Sequence, residues 1–290
     1  VAAALWQAIA ASEAETLLRD LAVPALPVCP FSIARDLGIE VRPLGANSQP
    51  GVSGMLLRHG NAFGILYARH LNNDGFERFC VGHELGHYRL PGHPESVLID
   101  GVHASHAGFS SDDRHELEAD HFAAGLLMPS FLFDPLLGSV GTGLSAVETL
   151  ASRCNTSLTA TAIRYAQRTP ETAAIVVSVG SIVDYCFMSE SLQSIRNLDW
   201  LRKRSPLPQA SVTRQFNKLA ANVTRGERME GESSLQDWFG GTLKANLCEE
   251  VVGLGRYGKT LTILSASELP DQDEADEEAN LEELWTPRFR

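Results

Sequence analysis

The string that most constrains this chain is His83-Glu84-Leu85-Gly86-His87, which sits inside FERFCVGHELGHYRL, a segment with helical apolar spacing. On a helix, residues i and i+4 lie about 40° apart on one face, so two imidazoles at that spacing can reach one metal ion. Glu84 is offset around the helix and lies beside such an ion, where it can take a proton from an attacking water. Asn72-Asn73-Asp74-Gly75 supplies the cap chemistry of the helix start, Pro91-Gly92 marks its stop, and Phe76, Phe79 and Cys80 are candidate core anchors.

A catalytic zinc site takes three protein ligands and keeps a fourth position open. A second helical segment runs from near Asp112-Asp113 through RHELEADHFAAGLLM to Pro129 and offers His115, Glu116, Glu118, Asp120 and His121. Glu116 and Asp120 share a face, whereas Glu118 lies about 200° around the helix from Glu116. A ligand at Glu116 places Asp120 where it can accept the outer N–H of a ligand histidine; a ligand at Glu118 places Phe122 there, which cannot. Glu116 is therefore the expected third ligand and Glu118 its rival.

Elsewhere the pattern alternates helix and strand signals. The first 21 residues form an Ala-rich amphipathic pattern carrying Glu13, Glu15 and Asp20 and no basic leader, which reads as a helix and not as a signal peptide. FSIARDLGIEVRPLG reads as a short helix entering a strand, and the strands around His59-Gly60-Asn61 as a hairpin. Residues 91–111 read as an irregular loop, and the segment 144–168 has helix-turn-helix proportions. After Thr169-Pro170, hairpins are expected through Gly180-Ser181 and around Arg256-Tyr257-Gly258, with a helix over VTRQFNKLAANV between them.

The paired strings FERFCVGHELGHYRL and RHELEADHFAAGLLMP resemble the ImmA/IrrE family of zinc metallopeptidases, over roughly residues 1–170. That resemblance implies a small gluzincin-like fold, His83, His87 and Glu116 as zinc ligands, Glu84 as general base, and a regulatory protein such as a helix-turn-helix repressor or an antitoxin-like protein as substrate. The expected fold is α+β: a zinc metallopeptidase domain (1–140), a helix-turn-helix-like extension (141–169), a C-terminal α+β domain of unassigned role (170–267) and an acidic tail (268–290). The expected cofactor is Zn2+, with Asp120 in support of a ligand. The donor to the oxyanion is open among Tyr88, His115, His121, Arg164 and Tyr165, and Met55-Leu56-Leu57-Arg58 is either a substrate-pairing edge strand or a buried strand.

Composition narrows the partners. The chain carries a formal net charge of −12, and its last 23 residues hold nine acids against Arg288 and Arg290. Phosphate binding needs clustered Lys and Arg, and WLRKRSP is the one basic cluster, so nucleic acid is an unfavoured partner. A recognition helix beginning at Thr156, Ser157 and Thr159 has no Arg or Lys in its N-terminal half, which favours a packing role over a non-proteolytic DNA-binding regulator with a structural metal. The five scattered cysteines form no C-x-x-C, and no apolar run is long enough to span a bilayer, so a cytoplasmic location without membrane contact is expected. Gly253 to Gly258 reads as a hairpin turn and not a phosphate loop, and His93, His103 and His106 are candidates for a further metal.

Overall fold

The computed structural model describes residues 2–45, 51–69, 73–106 and 113–266; the acidic segment 268–290 lies outside them. The fold is α+β, and the chain divides into two compact units, residues 1–140 with 149–161, and residues 141–148 with 162–290.

The first unit holds helices α1 (Ala2–Asp20) and α2 (Pro30–Asp36), strands β1 (Glu40–Pro43), β2 (Gly54–His59) and β3 (Ala62–Tyr67), then α3 (Asp74–Arg89), α4 (His93–Val97), β4 (Val102–Ser105), α5 (Arg114–Leu127) and α6 (Ser130–Leu137). Its sheet has the order β1-β3-β2-β4, with β1 parallel to β3 and the other pairs antiparallel. The Asn73 side chain caps α3 by accepting from the Phe76 amide, and Asp113 caps α5 by accepting from the His115 and Glu116 amides. One core joins α1, α2, the sheet and both site helices through residues such as Leu18, Ile33, Leu56, Ile65, Leu85, Phe122 and Leu126.

Two glycines let α3 and α5 approach closely. A Cβ on Gly86 would fall 3.0 Å from the Ala119 Cα and 3.2 Å from the Phe122 Cβ, and one on Gly82 would fall 3.3 Å from the Ala123 Cβ. The contact is therefore backbone against small side chain, and it brings Glu116 on α5 across to the histidines on α3. Gly86→Ala is expected to cost about 1–3 kcal/mol by overpacking and to weaken metal binding as the helices part. Chemical denaturation and a metal titration of that variant check both effects.

Helices α7 (Gly143–Cys154) and α8 (Leu158–Arg168) follow, joined at Asn155, whose φ of 51° is left-handed. The second unit adds β5 (Thr172–Val179), β6 (Ile182–Met188), α9 (Glu190–Gln193), α10 (Val212–Asn217), α11 (Ala220–Arg225), β7 (Arg228–Ser234), α12 (Leu235–Phe239), β8 (Asn246–Gly253) and β9 (Thr260–Ala266). Its antiparallel sheet has the order β6-β5-β9-β8-β7. The expected helix over VTRQFNKLAANV is broken into α10 and α11, and Gly253 to Gly258 forms the turn between β8 and β9.

Two expectations are corrected. Residues 91–111 are not wholly irregular, because they carry α4 and β4. Met55-Leu56-Leu57-Arg58 is not an edge, because β2 pairs with β3 on one side and β4 on the other, with Leu56 fully buried. The edge beside the site helices is β4.

Candidate metal centre

His83, Glu84 and His87 on α3 are all completely buried, and Glu116 and Asp120 on α5 nearly so. The His83 and His87 Nε2 atoms lie 3.0 Å apart. Glu116 Oε2 lies 3.5 Å from His83 Nε2, and Glu116 Oε1 lies 3.2 Å from His87 Nε2. In a tetrahedral site with Zn–N and Zn–O bonds of about 2.0–2.1 Å, neighbouring ligand atoms stand about 3.3 Å apart. The three donors therefore have the spacing that one small divalent ion requires. Among the described residues they are the group of His, Cys, Asp and Glu that can hold a metal ion.

The far side of each ring is also occupied. His83 Nδ1 meets Asp120 Oδ1 at 2.8 Å, which turns its Nε2 toward Glu116. His87 Nδ1 meets His93 Nδ1 at 3.2 Å. Glu118, the rival ligand, faces away and takes His93 Nε2 at 2.8 Å and Arg114 Nε at 2.7 Å.

Strand β4 completes the site. Its register pairs His103 with Leu56 and Ser105 with Gly54, so His103 and Ser105 share the sheet face on which Gly54 and Leu56 are buried. His103 Nε2 lies 2.8 Å from Glu116 Oε1, and the His106 backbone N–H donates to Glu116 Oε2 at 3.2 Å. A Cβ on Gly54 would collide with the Glu84 carboxyl group, 3.1 Å from its Cδ. Both Glu84 oxygens and the Ser105 hydroxyl are buried with no hydrogen bond of good geometry among the described residues, although Ser105 is near enough to Glu84 to favour its charged form. An orphaned carboxylate beside a cluster of metal donors is what a proton-accepting residue needs, since its lone pairs remain uncommitted.

The charges are strongly coupled. Burial raises Glu84 to about 7, against the opposing pull of His83. Burial disfavours charge on His83, but the Asp120 and Glu116 carboxylates outweigh it and raise its pKa to about 10. Burial lowers His87 to about 3, so it is neutral. Burial disfavours the Glu116 carboxylate, yet hydrogen bonds from His103, His83 and His87 outweigh it and hold its pKa far below the carboxylate range. A metal must therefore displace a proton from His83. Affinity is expected to rise about tenfold per pH unit from roughly pH 6 to 8, with about one proton released per ion. Calorimetry in buffers of differing ionisation enthalpy measures that count, and a pH-independent affinity would contradict it.

Other candidates take different places. Tyr88 packs edge-on against Phe63 at 4.9 Å, His115 meets His93 edge-on at 4.8 Å, and His121 is half-buried on α5. Arg164 and Tyr165 belong to the second unit, where the Tyr165 hydroxyl accepts from the Gly143 amide at 3.4 Å. His93, His103 and His106 do not gather as a separate metal group; each instead touches a residue of the centre just described. The Thr156 hydroxyl is paired with Thr161 at 2.7 Å, and a Cβ on Gly75 would fall 2.9 Å from the Ser157 amide, so the start of α8 packs on the start of α3. No helix among the described residues is long and apolar enough to cross a membrane.

This arrangement coincides with a family match. Residues 34–165 match Peptidase_M78, the IrrE N-terminal-like domain. The matched stretch, a little under half of the chain, supports the ImmA/IrrE resemblance of the two helix motifs. The match spans β1 through most of α8 and includes every residue of the metal centre. A Mycobacterium tuberculosis transcriptional regulator has a similar solved structure, with a TM-score of 0.56 and 13% identity, covering 89% of this chain and 76% of that one. At that identity the likeness concerns the fold. A search of curated proteins finds no match.

Proposed function

We propose that this Peptidase_M78 domain is a zinc-dependent endopeptidase that cleaves a specific regulatory protein inside the cell, such as a helix-turn-helix repressor or an antitoxin-like protein. The carrying observation is the convergence of the His83, His87 and Glu116 donor atoms beside the buried, unpartnered Glu84 carboxylate. Bound there, zinc supplies a Lewis acid for a scissile carbonyl and acidifies water. Glu84 accepts the proton of the attacking water and delivers it to the leaving amine. His103, on β4 and next to Glu116, is placed to donate to the developing oxyanion. The edge strand β4 is placed to pair with an extended substrate segment.

The test is incubation of the zinc-loaded protein with repressors encoded beside its own gene, with products mapped by mass spectrometry. Cleavage at one site, lost in Glu84→Gln, supports the proposal; cleavage that survives the substitution removes Glu84 from the mechanism.

One observation favours a second reading, a non-proteolytic regulator with a structural metal. His103 Nε2 stands 2.8 Å from Glu116 Oε1, and a small movement of β4 toward the ligands would add a fourth protein donor, which makes a closed site. Similarity in fold to a transcriptional regulator is compatible with it. Sequence-specific DNA binding with a clear salt slope, together with no proteolysis, would favour this reading.

A further inference from the structure

The spacing from His83-Glu84 through His87 to His93 is that of metzincins, in which a glycine turn after the second histidine brings a third histidine to the metal. Here Leu90 occupies the position of that glycine, and the left-handed turn comes two residues later, at Gly92 with φ 80°. The third histidine consequently lands behind His87 and not beside it. His93 is 1% exposed, and its Nδ1 sits 3.2 Å from His87 Nδ1, the nitrogen on the side of the ring away from Glu116.

The protons along this chain are determined by its ends. If His87 binds a metal through Nε2, its Nδ1 carries the hydrogen. Two ring nitrogens at 3.2 Å need one proton between them, so His93 Nδ1 is the acceptor. His93 then carries its hydrogen on Nε2 and donates to Glu118 Oε2 at 2.8 Å. Glu118 Oε1 accepts from Arg114 Nε at 2.7 Å, and the Arg114 guanidinium lies 3.9 Å over the Trp6 ring. Every donor meets an acceptor, with one tautomer for each ring. His83 has its own, shorter support in Asp120.

We propose that His93 and Glu118 are positioning residues for the metal ligand His87, a two-residue relay that fixes its tautomer and ring plane and extends the usual ligand–carboxylate pair by one imidazole. The proposal rests on the metallopeptidase reading of the centre. Removal of such outer partners commonly weakens metal binding by about 10–100-fold.

The test is metal affinity by competition with a chromophoric chelator, together with the visible spectrum of the Co2+-loaded full-length chain. His93→Phe keeps an aromatic body but offers no acceptor, and is expected to weaken binding by about 10–100-fold with one ion still bound and the Co2+ band pattern unchanged. His93→Asn can accept from His87 Nδ1 and is expected to recover most of that loss. Glu118→Ala acts from the partly exposed end of the relay, so it tests the proposal even if His93→Phe fails to fold. It is expected to weaken binding about tenfold, and Glu118→Gln, which still accepts from His93, by less. Thermal unfolding of each variant separates a general loss of stability from a loss confined to the metal.

If wild type binds metal and both His93→Phe and Glu118→Ala bind equally well, the relay is wrong and the metal centre stands. If His93→Phe weakens binding about as far as loss of a ligand does and alters the Co2+ band pattern of the ion still bound, while Glu116→Ala does neither, His93 is a ligand of metzincin type and the relay is wrong. If wild type binds no metal, the relay falls together with the metallopeptidase reading.

Discussion

Replacing Glu84 with glutamine is expected to abolish cleavage and to make the metal-free protein more stable at pH 8. The first effect follows from chemistry: a neutral amide cannot accept a proton, and general-base removal costs about 10²–10⁴-fold in rate. The second follows from burial. The Glu84 carboxyl group is fully buried with no hydrogen bond of good geometry among the described residues, and burial raises its pKa from 4.5 to about 7. A raised folded-state pKa means that the folded protein resists ionisation. Stability is then intact below about pH 4.5, falls as pH rises, and reaches its full deficit above about pH 7. A shift of that size corresponds to up to about 3 kcal/mol. Glutamine carries no charge to bury, so the deficit is expected to shrink and the melting temperature at pH 8 to rise by several degrees. Metal content should be unchanged. A variant that is inactive, metal-loaded and more stable identifies a residue kept for chemistry at the expense of the fold. Equal loss of activity and stability would indicate a structural role.

The second large effect separates two acids on one helix. Glu116→Ala is expected to reduce metal affinity by roughly 1,000-fold, since one of three ligands is lost from a binding free energy of about 10–16 kcal/mol. Glu118→Ala should cost only about tenfold, through the relay. Helical phase favours Glu116, and the contacts follow it: Glu116 points at His83, His87 and His103 while Glu118 points at His93 and Arg114. Metal titration of both variants checks the difference, and a reversed order would move the third ligand to Glu118.

That helical phase could be read from spacing alone, because 100° per residue places Glu116 with Asp120 and sets Glu118 apart. The H-E-x-x-H helix and its Asn73 cap were legible for the same reason: local geometry depends on local sequence. What lay outside reach depends on register between distant segments. Strand β4 is the four residues Val102 to Ser105, too short to show alternation, and it exists because Gly54 to Leu57 pair with it. His103 therefore reads as a loop histidine until the pairing with Leu56 carries it to Glu116. His93 was one residue beyond Pro91-Gly92, and only the left-handed turn at Gly92 returns it to His87. Gly54 gave no signal at all, although its missing side chain leaves room for the Glu84 carboxylate. In the second unit, β7 was hidden because its sequence, RMEGESS, is that of a polar edge strand with few apolar residues to mark a period. Helix α6 carries Pro135 in its interior, a residue that ordinarily breaks a helix, so its sequence gives little helical signal.

The most direct measurement is X-ray diffraction from crystals of the zinc-loaded protein at wavelengths on both sides of the zinc absorption edge. The expected result is one anomalous peak about 2.0–2.1 Å from His83 Nε2, His87 Nε2 and a Glu116 oxygen, with no fourth protein atom bonded to it and Glu84 beside it. A peak bonded to His103 as well would describe a closed structural site, and no peak between those three side chains would refute the metal centre itself.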